Sequence, residues 1–118
     1  NVSTFPDEGA DCTVNSEVEG LISEFYNNKK PIGGICIAPA VVGKVFQNLG
    51  IKLTVADGGE LFSPLKKMGH ELVGCSAVEC IIDNQNKFIS TPAYISAKSI
   101  GEVWLGIEKL VNAVVKIS

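Results

Sequence analysis

The chain has 118 residues, 46% hydrophobic and 19% charged, which is one globular domain's worth and excludes disordered, collagenous or low-complexity sequence. Its net charge of −3 is built with ten lysines and no arginine, so no basic face stands out for nucleic acid, and the side chain that forks best onto phosphate or guanine is missing. No apolar run reaches the roughly 18–20 residues that cross a bilayer as a helix, so neither nucleic acid nor membrane is an expected partner.

The opening through Thr13 carries Pro6, Asp7, Gly9 and Asp11 and reads as loop. Asn15 or Ser16 caps a first long helix, with Glu17 and Glu19 in the first turn, where the dipole favours negative charge. Val18, Leu21, Ile22 and Phe25 form its buried stripe by spacing, and Asn27-Asn28 ends it. Ile32 to Cys36 is a short apolar run bounded by breakers, a buried strand. A second helix follows from about Pro39, its stripe Val42, Val45, Phe46 and Leu49, its stop Gly50. Residues 51–55 are a strand, Asp57-Gly58-Gly59 a turn, and residues 60–68 a short helix ended by Gly69. Residues 70–75 and 78–83 are β-like, and Asn84 to Lys87 turns the chain into a strand at 88–91. Thr91-Pro92-Ala93-Tyr94 is loop. The last helix keeps helical period through Ile100, Val103, Trp104, Ile107, Leu110, Val111 and Val114. Strands alternate with helices, which predicts an α/β fold with a largely parallel sheet and helices on both faces.

The four cysteines, Cys12, Cys36, Cys75 and Cys80, contain no C-x-x-C pair, and the only histidine is His70. A zinc site needs a tighter ligand cluster, so no metal is expected. Four reduced thiols fit a reducing compartment, the cytoplasm or, in a eukaryote, the mitochondrial matrix.

One segment carries chemistry. In Gly34-Ile35-Cys36-Ile37-Ala38-Pro39-Ala40 the cysteine stands where a strand gives way to a helix, the geometry of a nucleophile elbow. Gly34, Ala38 and Ala40 are small enough to let strand and helix approach, and Pro39 near the first helical position loses no bond. The helix N-terminus favours a thiolate, and the Ile37 N–H is the natural first oxyanion donor. The competing reading is a buried cysteine at the end of a strand.

The string Pro31-Ile-Gly-Gly-Ile-Cys-Ile-Ala-Pro-Ala40, with Asp11-Cys12-Thr13-Val14, the Asn86-Lys87 turn and Thr91-Pro92-Ala93-Tyr94, resembles the enhancing-lycopene-biosynthesis (ElbB-like) family of the PfpI/ThiJ superfamily. The resemblance runs over essentially the whole chain. It implies a three-layer α/β/α sandwich of the flavodoxin-like, class I glutamine amidotransferase type, with Cys36 as nucleophile and no cofactor. It also implies that residues 1–118 form the C-terminal part of one such domain. Relatives carry a further N-terminal half with the first strands, a Gly-rich loop and a carboxylate that contacts the cysteine. That half of the same protein is therefore an expected partner, alongside a homo-oligomer.

The departures narrow the chemistry. PfpI-type peptidases place a His directly after the nucleophile, where this chain has Ile37. Amidotransferases use a late His and Glu, and no His follows His70. His70 is either a connection residue or a base. Asp57 lies roughly where some members of the superfamily place a His beside the nucleophile, and is either an acid/base partner or part of a plain turn. Cys12 lines the same pocket or packs. Thr91 and Tyr94 either contact substrate or cover the core. Three functions follow from these alternatives. The first is glyoxalase-like processing of a small-molecule carbonyl substrate such as glyoxal or methylglyoxal, which needs a thiolate, an oxyanion site and one acid/base group. The second is a glutaminase subunit, which needs a His base. The third is a redox-sensing or ligand-binding protein with an oxidisable Cys36.

Overall fold

The computed structural model describes residues 2–118. Its opening is helical rather than loop: α1 (Phe5–Glu8) runs into a 3-10 turn at Gly9–Asp11. Phe5 is buried in the core and anchors this turn. Thr4 ties it down, its N–H donating to the Thr13 carbonyl at 3.1 Å and its Oγ1 accepting from the Thr13 N–H at 2.8 Å. A single turn held by one aromatic leaves no periodicity to read.

α2 (Ser16–Asn27) starts on Asn15, whose Oδ1 accepts from the N–H groups of Glu17 and Val18 at 3.0 and 3.2 Å. Then come β1 (Ile32–Ile35), α3 (Ala38–Val45), β2 (Lys52–Leu53), α4 (Phe62–Lys67), β3 (Glu71–Leu72), β4 (Ile81–Asp83), β5 (Phe88–Thr91) and α5 (Ile100–Ile117). The expected loop at 91–94 closes as a 3-10 turn, Ala93–Ile95. α5 begins on a reciprocal cap: Ser99 Oγ accepts the Glu102 N–H at 3.3 Å, and the Glu102 carboxylate accepts the Lys98 N–H at 2.8 Å.

The strands form a three-stranded sheet, β1-β5-β4, and a two-stranded one, β2-β3. β1 pairs in parallel with β5, from Ile32 opposite Phe88 to Ile35 opposite Thr91, and β2 pairs in parallel with β3. β4 and β5 make an antiparallel hairpin. Side chains stitch β2 to the larger sheet. The Thr54 N–H donates to Ser90 Oγ at 3.0 Å, and the Lys52 N–H to Asp83 Oδ2 at 2.9 Å.

Two adjacent glycines of β1 reveal the layers. A methyl on Gly33 would stand 3.0 Å from Leu110 of α5, and one on Gly34 would stand 3.0 Å from Pro39 of α3. Neighbouring residues of a strand face opposite sides, so α3 and α5 cover opposite faces and the fold is a three-layer α/β/α arrangement. The main core lies on the α3 side, around Leu53, Val55, Leu65, Met68 and Phe88.

Two expected stripes are not buried as the spacing suggests. On α2, Leu21 is 57% and Phe25 40% exposed. On α5 the stripe splits, with Val103 and Leu110 buried while Trp104 is 69% exposed and Val111 is also open. The sheet below is three strands wide and stops at β1, so it covers only part of the apolar arc.

Candidate active site

Cys36 follows the last residue of β1 and adopts φ +65°, the left-handed region. An L-residue there costs about 1–2 kcal/mol, and such strain persists only where the surroundings enforce it. Three features enforce it here. The Cys36 N–H donates to the Thr91 carbonyl at 2.9 Å, adding one rung past the β1–β5 ladder. Gly34 leaves no room for a side chain, since a methyl would lie 2.8 Å from Phe88 Cζ as well as against Pro39. Ile37 then starts α3 as its N-cap, with Pro39 in the first turn. The chain thus turns sharply from strand to helix at a half-buried thiol, the backbone geometry of a nucleophile elbow.

Among the described residues, the Cys36 sulfur has no hydrogen-bond partner and the Ile37 N–H has no acceptor. Ile37 itself borders an apolar groove with Val2, Phe5, Pro6 and Val41. The thiol and the neighbouring N–H are therefore both uncommitted at the N-terminus of α3, where partial positive charge favours developing anions.

The other three cysteines differ. Cys12 is 2% exposed and lines a separate groove with Thr13, Val14 and Lys44, which shares no residue with the one beside Ile37. Cys12 and the elbow therefore do not line one groove. Burial, reinforced by Cys80, Glu79 and Asp57, pushes the Cys75 thiol up to about 11. Burial and then Glu79 raise Cys80. All four cysteines are free thiols.

His70 is 8% exposed and fully engaged away from the elbow. Its Nδ1 accepts the Ile51 N–H at 3.1 Å, which leaves the proton on Nε2 to donate to the Gly43 carbonyl at 2.7 Å. Both ring nitrogens thus join the end of α3 to the start of β2, and neither is free to act as a base.

Asp57 sits on an exposed bend, its N–H donating to Ser96 Oγ at 3.2 Å, and no hydrogen bond links it to Cys36. The β1–β5 register brings Thr91 beside Cys36 through its carbonyl. Its hydroxyl, however, is buried and donates to the Glu79 carbonyl at 2.7 Å, so the Thr91 side chain is committed to structure. Tyr94 is exposed on the 3-10 turn that follows. Ala93, in this loop, also has a left-handed backbone at φ +50°, and nothing in its residue type announces it. Among the described residues no group of three His, Cys, Asp or Glu side chains could hold a metal ion, and no helix is long and apolar enough to cross a membrane.

No family model matches the chain. It is 34% identical to the ES1 protein homolog, mitochondrial, of Rattus norvegicus, over the whole chain and 47% of that protein. The same identity and coverage hold for the glutamine amidotransferase-like class 1 domain-containing protein 3, mitochondrial, of Homo sapiens. The crystal structure of an isoprenoid biosynthesis protein with amidotransferase-like domain from Ehrlichia chaffeensis superposes with a TM-score of 0.82 at 32% identity, over 89% of this chain and 49% of that one. The chain spans about half the length of the relatives it matches, and its fold is class I glutamine amidotransferase-like.

Proposed function

We propose that the chain belongs with the ElbB/ES1-like proteins and processes small reactive carbonyls through Cys36, without a cofactor. The observation that carries this reading is the strained elbow, which presents a free thiol beside an unused N–H while the only histidine is committed elsewhere. In the proposed reaction the Cys36 thiolate adds to the aldehyde carbon of a 2-oxoaldehyde. The C–S bond forms as the carbonyl π pair moves to oxygen, held by the Ile37 N–H and then protonated. The hydrogen on that carbon leaves as a proton while the adjacent carbonyl oxygen gains one, giving an enediol. The adjacent carbon then takes up a proton as the hydroxyl on the sulfur-bearing carbon loses its own, giving a 2-hydroxy thioester. Water then cleaves the C–S bond, releasing the 2-hydroxy acid and the thiol, so the net change is addition of one water. Only a carboxylate-type acid/base group is needed for the proton shift. Asp57 is the candidate within the chain.

A glutaminase reading draws on the name of the human relative and on the fold. It requires a Cys–His pair that the bonds of His70 do not provide. Both mammalian relatives are named mitochondrial, which favours the matrix for a eukaryotic chain and suits four reduced thiols.

The test is turnover of methylglyoxal and of glutamine by the protein and two variants. The carbonyl reading expects methylglyoxal conversion that Cys36→Ser abolishes and that a folded His70→Asn keeps. Glutamine hydrolysis, or loss of methylglyoxal activity in folded His70→Asn, would overturn it.

A further inference from the structure

Two cysteines that the elbow chemistry does not use stand together. Cys75 and Cys80 flank Ser76-Ala77-Val78-Glu79, and the Glu79 N–H donates to the Ser76 carbonyl at 3.1 Å, which closes a β-turn. The ends of such a turn lie within about 7 Å of each other, so the chain doubles back between the two cysteines. The Cys75 thiol points into the same turn, its Sγ donating to the Ser76 carbonyl at 3.3 Å. One oxygen is thus in reach of both the Cys75 sulfur and the N–H of the residue that precedes Cys80. Electrostatics agrees: after burial itself, charge on Cys80 is what most raises the Cys75 thiol, ahead of Glu79 and Asp57.

The turn is pinned from three sides. The Cys75 N–H donates to the Ala56 carbonyl at 3.1 Å. Ala77 is buried, with its carbonyl against Gly106 of α5. The Glu79 carbonyl accepts the Thr91 hydroxyl at 2.7 Å. The fold, and not only the short spacing, therefore holds the two thiols near each other. They are not equivalent: Cys75 is 5% exposed, whereas Cys80 is half-buried and the more accessible of the two. A disulfide spans Cα atoms roughly 4.4–6.8 Å apart, a separation that a closed turn offers to the residues beside it.

We infer that Cys75 and Cys80 are a reversible dithiol–disulfide pair, oxidised by exchange with a low-molecular-weight disulfide. The Cys80 thiolate attacks one sulfur of that disulfide, joining Cys80 to one half and expelling the other as a thiolate. The Cys75 thiolate then attacks the Cys80 sulfur, which forms the Cys75–Cys80 bond and expels the second half. The protons given up by the two cysteines end on the two released thiols. Two cysteine thiols are oxidised and one small disulfide is reduced. Raised thiols attack slowly at neutral pH, so the pair follows the surrounding thiol pool rather than intercepting fast oxidants. The site stands independently of which reaction Cys36 carries out.

The test equilibrates the protein in mixtures of reduced and oxidised glutathione, quenches in acid, alkylates with N-ethylmaleimide in denaturant and digests with trypsin. Residues 68–87 then form one peptide that holds Cys75 and Cys80 and no other cysteine. The expected product is that peptide lacking two hydrogens and carrying neither maleimide nor glutathione, and Cys36→Ser should not change it. Cys75→Ser should instead leave a glutathione adduct on Cys80. Folding should favour the disulfide by about tenfold or more in its exchange equilibrium, relative to the chain unfolded in urea. A peptide that stays reduced in excess oxidised glutathione, or gains only glutathione, would overturn the inference. So would a disulfide from either cysteine to Cys36 or Cys12, or a pair no easier to oxidise in the folded protein than in urea.

Discussion

Replacing Cys36 by glycine and, separately, by alanine divides the chemistry of the thiol from the backbone strain that presents it. Both variants lose the sulfur, so both should lose any Cys36-dependent turnover. They differ in what φ +65° costs. Alanine keeps the left-handed penalty of about 1–2 kcal/mol, whereas glycine removes it at the expense of roughly 0.4–1 kcal/mol of extra freedom in the unfolded chain. The net expectation is a Cys36→Gly protein about 1 kcal/mol more stable than Cys36→Ala, a difference of several degrees in Tm for a domain of this size. Urea denaturation of the two variants, with equal m-values, measures it directly. A Cys36→Ala protein as stable as Cys36→Gly would mean that the elbow is unstrained, and the argument for Cys36 as a presented nucleophile would lose its foundation.

Thiol labelling by limiting iodoacetamide near pH 7.5, read by mass spectrometry, should modify Cys36 first, because Cys12 is buried and burial raises Cys75 and Cys80. Gly106→Ala should destabilise the protein by about 2 kcal/mol, although alanine is the better helix former by about 1 kcal/mol. The new methyl would overlap the Ala77 carbonyl oxygen and stand 2.8 Å from Thr91 Oγ1, which calorimetry would register as a lower Tm. Asp83 is partly buried, which opposes ionisation, yet the side chain and backbone of Asn86 and the N–H groups of Lys52 and Gln85 hold its carboxyl below the usual range. Its contribution to stability is therefore present above pH 4 and lost as pH falls through the lowered value, so Asp83→Asn should flatten the acid limb of a Tm-against-pH curve.

Local chemistry was readable wherever one residue fixes one conformation. Asn15 caps α2, Gly69 ends the turn after α4 at φ +87°, and Lys87 closes the β4–β5 turn, all at their expected places. The elbow was readable because Gly34, Cys36 and Pro39 each meet a separate steric demand. What failed were readings that depend on the width of the surface beneath an element. Trp104 and Val103 belong to one apolar arc, and only the position of β1 decides that Val103 is buried while Trp104 is exposed. Side-chain commitments were equally hidden. Thr91 was offered as a substrate contact or as cover for the core, and its hydroxyl bonds to Glu79, a partner twelve residues away that no pattern specifies.

The engagement of His70 has an experimental use. With Nδ1 accepting and Nε2 donating, the ring is held as a single tautomer, so its two nitrogens should give well-separated pyridine-type and pyrrole-type ¹⁵N resonances. It is also the only histidine in the sequence, which makes those signals free of overlap. The bonded ring bridges α3 to the start of β2, and α3 carries the elbow at its other end. Averaging of the two ¹⁵N shifts would therefore report α3 lifting away from β2, a local opening invisible to any probe placed at Cys36 itself.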